Sequence, residues 1–496
     1  MNGTEETLEH ALWAPPVYDM SRSPRKLYAT HLPQSQVDGG RDSSTVFARM
    51  AKWCPDGSVA LAQCEDASFR PTEMLGICRD AVLPSSLPAC LRQSAPILDY
   101  AWYPTAHSRD PACFCFVASV RECPVKLLNA SDGNLRASYR IVDHRERHIA
   151  PHSVAFNIGA NKLYCGFEDA IEVFDVQRPG EGIRLRTTPS KKSRDGLKGK
   201  FSRMSITLGA QTYSERCLSV GIVSALAFAP DVASDLYAAG TLSPSSPTAS
   251  NIAIFSEAHG EVPLMFVGAE DLQSSGGARY GVQASVSQLM FNPGRPYLLY
   301  ASFRRMDEIY CWDLRGDMSR PIEVFSTQAT QLISGRTPRS LTNQRLRFDI
   351  DYAGKWLAVG DTEGTIFVFD LAPRSDTVVS ANSEGGPTPS TLPVPRTLPT
   401  MRYHAHDDAI GSVTFHPLQS LLLSVSGSRH FDSDSSPDTS TASGSEEDID
   451  DGELVARAGT PPGTRAVSRR RTKPQPTASD TTISLWSCAP EMQSET

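Results

Sequence analysis

The sequence predicts an all-β chain, a seven-bladed β-propeller interrupted by insertions expected to be disordered, and three observations carry that expectation. A turn that follows an aromatic or apolar residue recurs, as WCPDG (53–57), WYP (102–104), FN (156–157), FAPD (228–231), FNPG (291–294), IDYAG (350–354) and FHP (415–417). Successive anchors lie 49, 54, 72, 63, 59 and 65 residues apart, and polar insertions account for the longer gaps. A third-strand run follows each turn: 68–74, 124–130, 171–176, 251–256, 308–314, 365–371 and 482–488. Alternation with period two inside these runs, as in TIFVF (365–369), marks half-buried strands and not helices. The 36 prolines and 34 glycines are spread along the whole length, as many tight turns require.

The elements follow in order. Residues 1–22 lack periodicity and read as a disordered N-terminal arm, ahead of a propeller over 23–488 and a tail at 489–496. The run KLYAT (26–30) is the candidate outer strand that closes the ring on the last blade. Residues 375–400 hold Pro, Ser, Thr and Gly and read as a disordered insert after blade six. Residues 430–480 pass from acidic (446–451) to basic (Arg469 to Lys473), with too few apolar groups to fold alone. The basic end reads either as a nuclear-import signal or as a solvated tether.

Composition excludes several classes. The acidic N-terminus does not resemble a secretory signal, and no run approaches the length of a membrane span, so no membrane partner is expected. Eleven scattered cysteines without a C-x-x-C pair read as reduced thiols of an intracellular protein. Phosphate-loop, nucleophile-elbow and H-E-x-x-H patterns are missing. No catalysis, cofactor, small-molecule substrate or metal site is therefore expected, although His404 and His406 form an H-x-H pair.

Blade seven carries the sharpest local pattern. HDDAIGSVTFHP (406–417) and DTTISLW (480–486) resemble the two ends of a WD repeat. That resemblance implies a buried hydrogen-bonded tetrad of His406, a strand serine, Asp480 and Trp486. Ser424 and Ser426 both fit the strand position, and Ser426 is the assignment taken.

The informative chemistry is cationic. Loops between second and third strands, and between blades, open on one face of a propeller. Seven positive residues against one negative fill 186–203, between blades three and four. Arg121, the Arg304–Arg305 pair, the run Asn343-Gln344-Arg345 and Arg429 fall in matching loops. On a chain of net charge −8, cations gathered on one rim suggest a polyanion site; the alternative is solubility.

A longer resemblance spans most of the ring. ILDYAWY (97–103), VASVRECP (117–124) and DGNLRASY (132–139) resemble the second blade of the telomerase Cajal body protein family. LYCGFEDAIEVF (163–174), Lys191–Lys192, GIVSALAFAP (221–230), CWDLR (311–315) and NQRLRFD (343–349) are similar to its later blades in the same order. The insertions depart from the vertebrate form and suggest a divergent, fungal-type member. The resemblance implies an RNA-binding scaffold for small nuclear, Cajal-body or telomerase RNAs, with ribonucleoprotein proteins as partners. It implies a nuclear location, in Cajal bodies or their equivalent, with the cytoplasm as a second compartment; spliceosomal RNAs fit the same surface.

On this reading Lys191, Lys192, Arg304, Arg305 and Arg345 contact phosphate, Asn343 and Gln344 read base edges, and Arg121 joins them from blade two. A second reading rests on Trp312, Asp313 and Arg315, a WDxR motif like that of cullin–RING ubiquitin-ligase substrate adaptors. A generic protein-interaction propeller is the third.

Overall fold

The structure is a computed structural model and describes residues 14–32, 46–73, 87–186, 217–218, 221–231, 233–245, 249–268, 282–327, 342–372, 394–431 and 477–490. Among these, every regular element is a strand, and seven sheets, each with four antiparallel strands, form the blades of a WD-type β-propeller. The inner strands are Ala48–Trp53, Ile97–Trp102, Ser153–Phe156, Val223–Phe228, Val286–Phe291, Asp349–Ile350 and Ile410–Phe415. Each third strand falls within a run predicted from alternation, give or take an end residue.

A propeller has no single core; each blade buries its faces against its two neighbours. The buried apolar side chains divide into seven clusters, one for each junction, so no junction is left open. Phe69 of blade one meets Tyr100 and Phe116 of blade two edge-on, at 5.2 and 5.0 Å between ring centroids. Phe325 of blade five packs likewise on Phe369 of blade six at 5.5 Å. Burial of this apolar surface excludes water but is non-directional, and similar aromatic pairs recur between blades, so blade order is left to something more specific.

That specificity comes from a polar belt around the axis. At every junction a polar side chain of one blade bonds backbone of the neighbouring blade's inner strand or, for blade six, of the residue just before it. Gln63 donates to Ile97 O, Asp99 accepts from Val154 N, and Ser153 and Ser224 donate to Val223 O and Val286 O, at 2.7–3.0 Å. Gln288 brackets both backbone groups of Phe348, Asp349 accepts from Phe415 N, and Ser412 accepts from Ala51 N, at 2.8–3.1 Å. Buried backbone groups that a blade cannot satisfy internally are thereby paired across the seam.

The ring closes as expected. Arg25–His31 pairs antiparallel with Thr482–Ser487 as the outer strand of blade seven, Arg25 opposite Ser487 and His31 opposite Thr482. The arm before it differs from the expectation of looseness through residue 22. Tyr18 and Met20 are 5% and 4% exposed and pack into the junction of blades six and seven. The Tyr18 hydroxyl donates to His416 O at 3.0 Å, because a buried phenol needs a partner.

The insert after blade six is also shorter than 375–400. Arg396–Thr397 adds a parallel fifth strand to blade five, beside Glu323–Ser326. Within the 430–480 insert, His430 and Thr477 exchange both backbone bonds at 2.7 and 2.8 Å. Residues 432–476 and all of 375–393 lie outside the described residues, as do Lys191 and Lys192.

Candidate polyanion funnel on the upper face

The inner strands all begin on one face, here the upper face, and their first residues surround the axis. In blades one, two, four, five and seven the inner strand bulges near its start, at Arg49, Leu98, Ser224, Ser287 and Gly411. A bulge redirects a side chain that regular pairing would send elsewhere, and Arg49 and Leu98 face a cavity of about 1010 Å³ at the mouth of the ring. Blades one, two, three, five, six and seven all line it.

Five arginines line this funnel: Arg49, Arg304, Arg345, Arg347 and Arg429. Arg49 and Arg429 share the Glu65 carboxylate. Arg347 donates to Ser287 O at a long 3.4 Å. Arg304 has a buried Nε with no hydrogen-bond partner. Arg345 is half-buried, and burial followed by the like charge of Arg347, Arg304 and Arg49 pulls its pKa down to about 10, against the opposing pull of Asp99. His152, on the same wall, is lowered by burial and then by Arg345, Arg304 and Arg121. Like charges held this close are costly unless an anion joins them.

The structure brings most of the sequence-predicted residues together. Arg304, Asn343, Gln344 and Arg345 line the funnel, and Arg121 is near enough for its charge to act on His152. Arg304–Arg305 and Arg121–Glu122 occupy equivalent turns, in which Arg305 (φ 58°) and Glu122 (φ 59°) take the left-handed conformation. The exposed Arg305 donates through Nε to Asn343 Oδ1 at 2.8 Å, which orients the amide on the rim.

Gln344, expected to read base edges, also has a structural tie. Its amide donates to Gly427 O at 2.9 Å and ties blade six to blade seven. Arg49, Arg347 and His152 escaped the sequence reading because they sit at strand starts, not in loops. The one available signal was a charged residue within an inner-strand run, as in ARMAKW (48–53).

The blade-seven tetrad forms with one change. His406 Nε2 lies 2.7 Å from Ser424 Oγ, and Trp486 Nε1 donates to the same oxygen at 2.8 Å. On its other side His406 Nδ1 lies 3.1 Å from Asp480 Oδ2 and 2.7 Å from Thr482 Oγ1. The consistent chain runs from Trp486 N–H to Ser424, from Ser424 O–H to His406, and from His406 N–H to Asp480. Burial opposes ionisation of Asp480, but the bonds from His406 and Thr482 outweigh it and hold the carboxyl well below the usual range.

Ser426, the assignment from sequence, donates instead to Asp408 O at 3.2 Å. Both serines point to one face of the strand, but only Ser424, opposite Ser484, is level with the His406 ring. With His406 so engaged, His404 pairs with Asp407 at 3.4 Å, and no cluster of three metal-ligating side chains occurs among the described residues.

The WDxR residues lie at the opposite end of blade five. Trp312 is buried, and Arg315 forms an ion pair with Asp313 at 2.8 Å while its guanidinium stacks 3.4 Å from the Tyr297 ring centroid.

No family model matches the chain. It is 28% identical over 390 residues to Telomerase Cajal body protein 1 of Rattus norvegicus, covering 78% of this chain and 59% of that protein. Against the Mesocricetus auratus protein of the same name, identity is 27% over 426 residues, 85% of this chain and 64% of the relative. The chain is a divergent relative of the telomerase Cajal body proteins. The likeness reaches the Drosophila melanogaster homolog, at 24% over 417 residues, 81% of this chain and 60% of the relative. The chain thus spans about three fifths of the length of the telomerase Cajal body proteins it matches.

Proposed function

We propose that this chain is an RNA-binding scaffold of the telomerase and Cajal-body kind, and that it binds RNA on the upper face of the propeller. The observation that carries the reading is the arginine funnel, where Arg304 and Arg345 bring charge that no protein carboxylate pairs among the described residues. Arg121, Arg305 and Asn343 extend it onto the rim as exposed groups able to meet phosphate and base edges. The relatives' name supports a telomerase or Cajal-body RNA as the client, with ribonucleoprotein proteins as partners and the nucleus as the place of work. The ligase-adaptor reading draws no comparable support, because Arg315 is engaged by Asp313 and Tyr297 of its own blade.

The test is the salt dependence of binding to a small-RNA stem-loop. Arg304→Glu with Arg305→Glu should weaken binding and lower the log–log salt slope by about one for each phosphate no longer neutralised. Asn343→Ala should instead erode discrimination between loop sequences. Arg315→Ala, on the far face, should leave affinity alone. Folded charge-reversal variants that bind as the wild type does would sink the proposal.

A further inference from the structure

We infer that the funnel seats a phosphomonoester dianion, as carried by the end of an RNA strand or by a small polyphosphate, and not an internal phosphodiester of a continuous strand. For the strand as its source, the inference rests on the RNA-scaffold reading; the chemistry of the seat does not. Position is the first argument. The cavity is lined by residues of six blades around the ring axis, so a strand entering along the axis leads with its end, whereas a continuous strand crossing the face passes over the mouth. Lys52 stands three residues further along the inner strand of blade one than Arg49, roughly 10 Å deeper, where it donates to Tyr100 O and lies 3.5 Å from Asp99. This pair, Asp99 buried and Lys52 half-buried, stands between blades one and two below the arginines of the mouth.

Unused hydrogen-bonding capacity is the second argument. Glu65 already serves Arg49 and Arg429, whereas Arg304 and Arg345 make no side-chain hydrogen bond or ion pair among the described residues. Arg304 and Arg345 line the same cavity and lie close enough for their charges to act on one another, and guanidiniums present fork donors of the kind phosphate oxygens accept. A terminal phosphate carries close to two negative charges and three free oxygens, against one charge and two free oxygens for a diester. The dianion therefore suits better a pair of arginines that make no side-chain hydrogen bond or ion pair among the described residues. The exposed rim cations, Arg121 and Arg305, suit the diesters of the strand that follows.

Three short single-stranded RNAs of one sequence, with a 5′ phosphate, a 3′ phosphate or hydroxyls at both ends, test this on the full chain, with inorganic pyrophosphate as competitor. One phosphorylated RNA should bind roughly tenfold tighter or more than the hydroxyl RNA, the worth of a charge-assisted contact. Pyrophosphate should abolish that advantage. Arg345→Gln should also abolish it, whereas Arg121→Gln should weaken all three RNAs alike. Arg304→Gln gives a second reading if Arg345→Gln does not fold.

Equal affinity for the three RNAs, without competition by pyrophosphate, overturns the dianion seat and leaves the RNA reading standing. An end preference that survives in folded Arg345→Gln and Arg304→Gln overturns the location. If pyrophosphate binds the wild type but not Arg345→Gln, and no RNA binds, the seat stands and the RNA reading falls.

Discussion

Replacing Ser424 with alanine removes one oxygen from the centre of blade seven and leaves two donors or acceptors stranded. Ser424 is fully buried, as is the His406 side chain, and Trp486 is 5% exposed, so water has little access to the freed groups. Each buried polar group left unsatisfied costs about 1–3 kcal/mol. Trp486 Nε1 and His406 Nε2 both lose their partner, so the expected loss is about 2–6 kcal/mol. Ser426 provides the internal comparison: it is equally buried, two residues along the same strand, and makes a single bond of 3.2 Å to Asp408 O. Its replacement should cost about 1 kcal/mol or less. Urea unfolding followed by tryptophan fluorescence measures both differences. In Ser424→Ala with Trp486→Phe the two losses should not add, since the indole donor is gone and cannot be stranded. Equal costs for the two serines, or a larger one for Ser426, would show that the chain through Ser424 does not hold the blade.

Two further outcomes follow from the belt and the arm. Burial first, and then the like charge of Asp351, raises the Asp349 pKa to about 7 against the pull of two backbone donors. A carboxyl raised above its unfolded value near 3.9 stabilises the fold while protonated, and that contribution is lost as pH rises from about 4 through 7. Asp349→Asn keeps an acceptor for Phe415 N but gives up the one for Ile350 N, so its stability relative to the wild type should rise with pH between about 4 and 7, by at most about 4 kcal/mol. Thermal melts across pH check this, and parallel curves for the two proteins would refute it. Tyr18→Ala with Met20→Ala should cost several kcal/mol, because both side chains are packed in the junction of blades six and seven. Deleting residues 1–32 should cost more and promote aggregation, since it bares the edge of Thr482–Ser487. Light scattering and melting temperature separate the two variants, and wild-type behaviour of either removes the closure argument.

Repetition made the architecture legible in the sequence. A blade is a local unit whose strands alternate and whose turns recur, so the third strands, the blade count and the closing run at 26–30 could be read one after another. The tetrad's ends, His406, Asp480 and Trp486, were readable for the same reason, since each belongs to a local motif. Tertiary structure alone decided matters that depend on register and on distant partners. Ser424 takes the tetrad position over Ser426 because strand pairing sets it level with His406, which two equally suitable serines cannot announce. Gln344 ties two blades because Gly427 O stands opposite it, 83 residues away in the chain. Arg49, Arg347 and His152 become one site with Arg304 and Arg345 only when ring closure brings strand starts from separate blades to a common axis. Periodicity reports which face of a strand is apolar; it cannot report which residues of other blades converge beside it, because convergence is a property of the closed ring and of no segment within it.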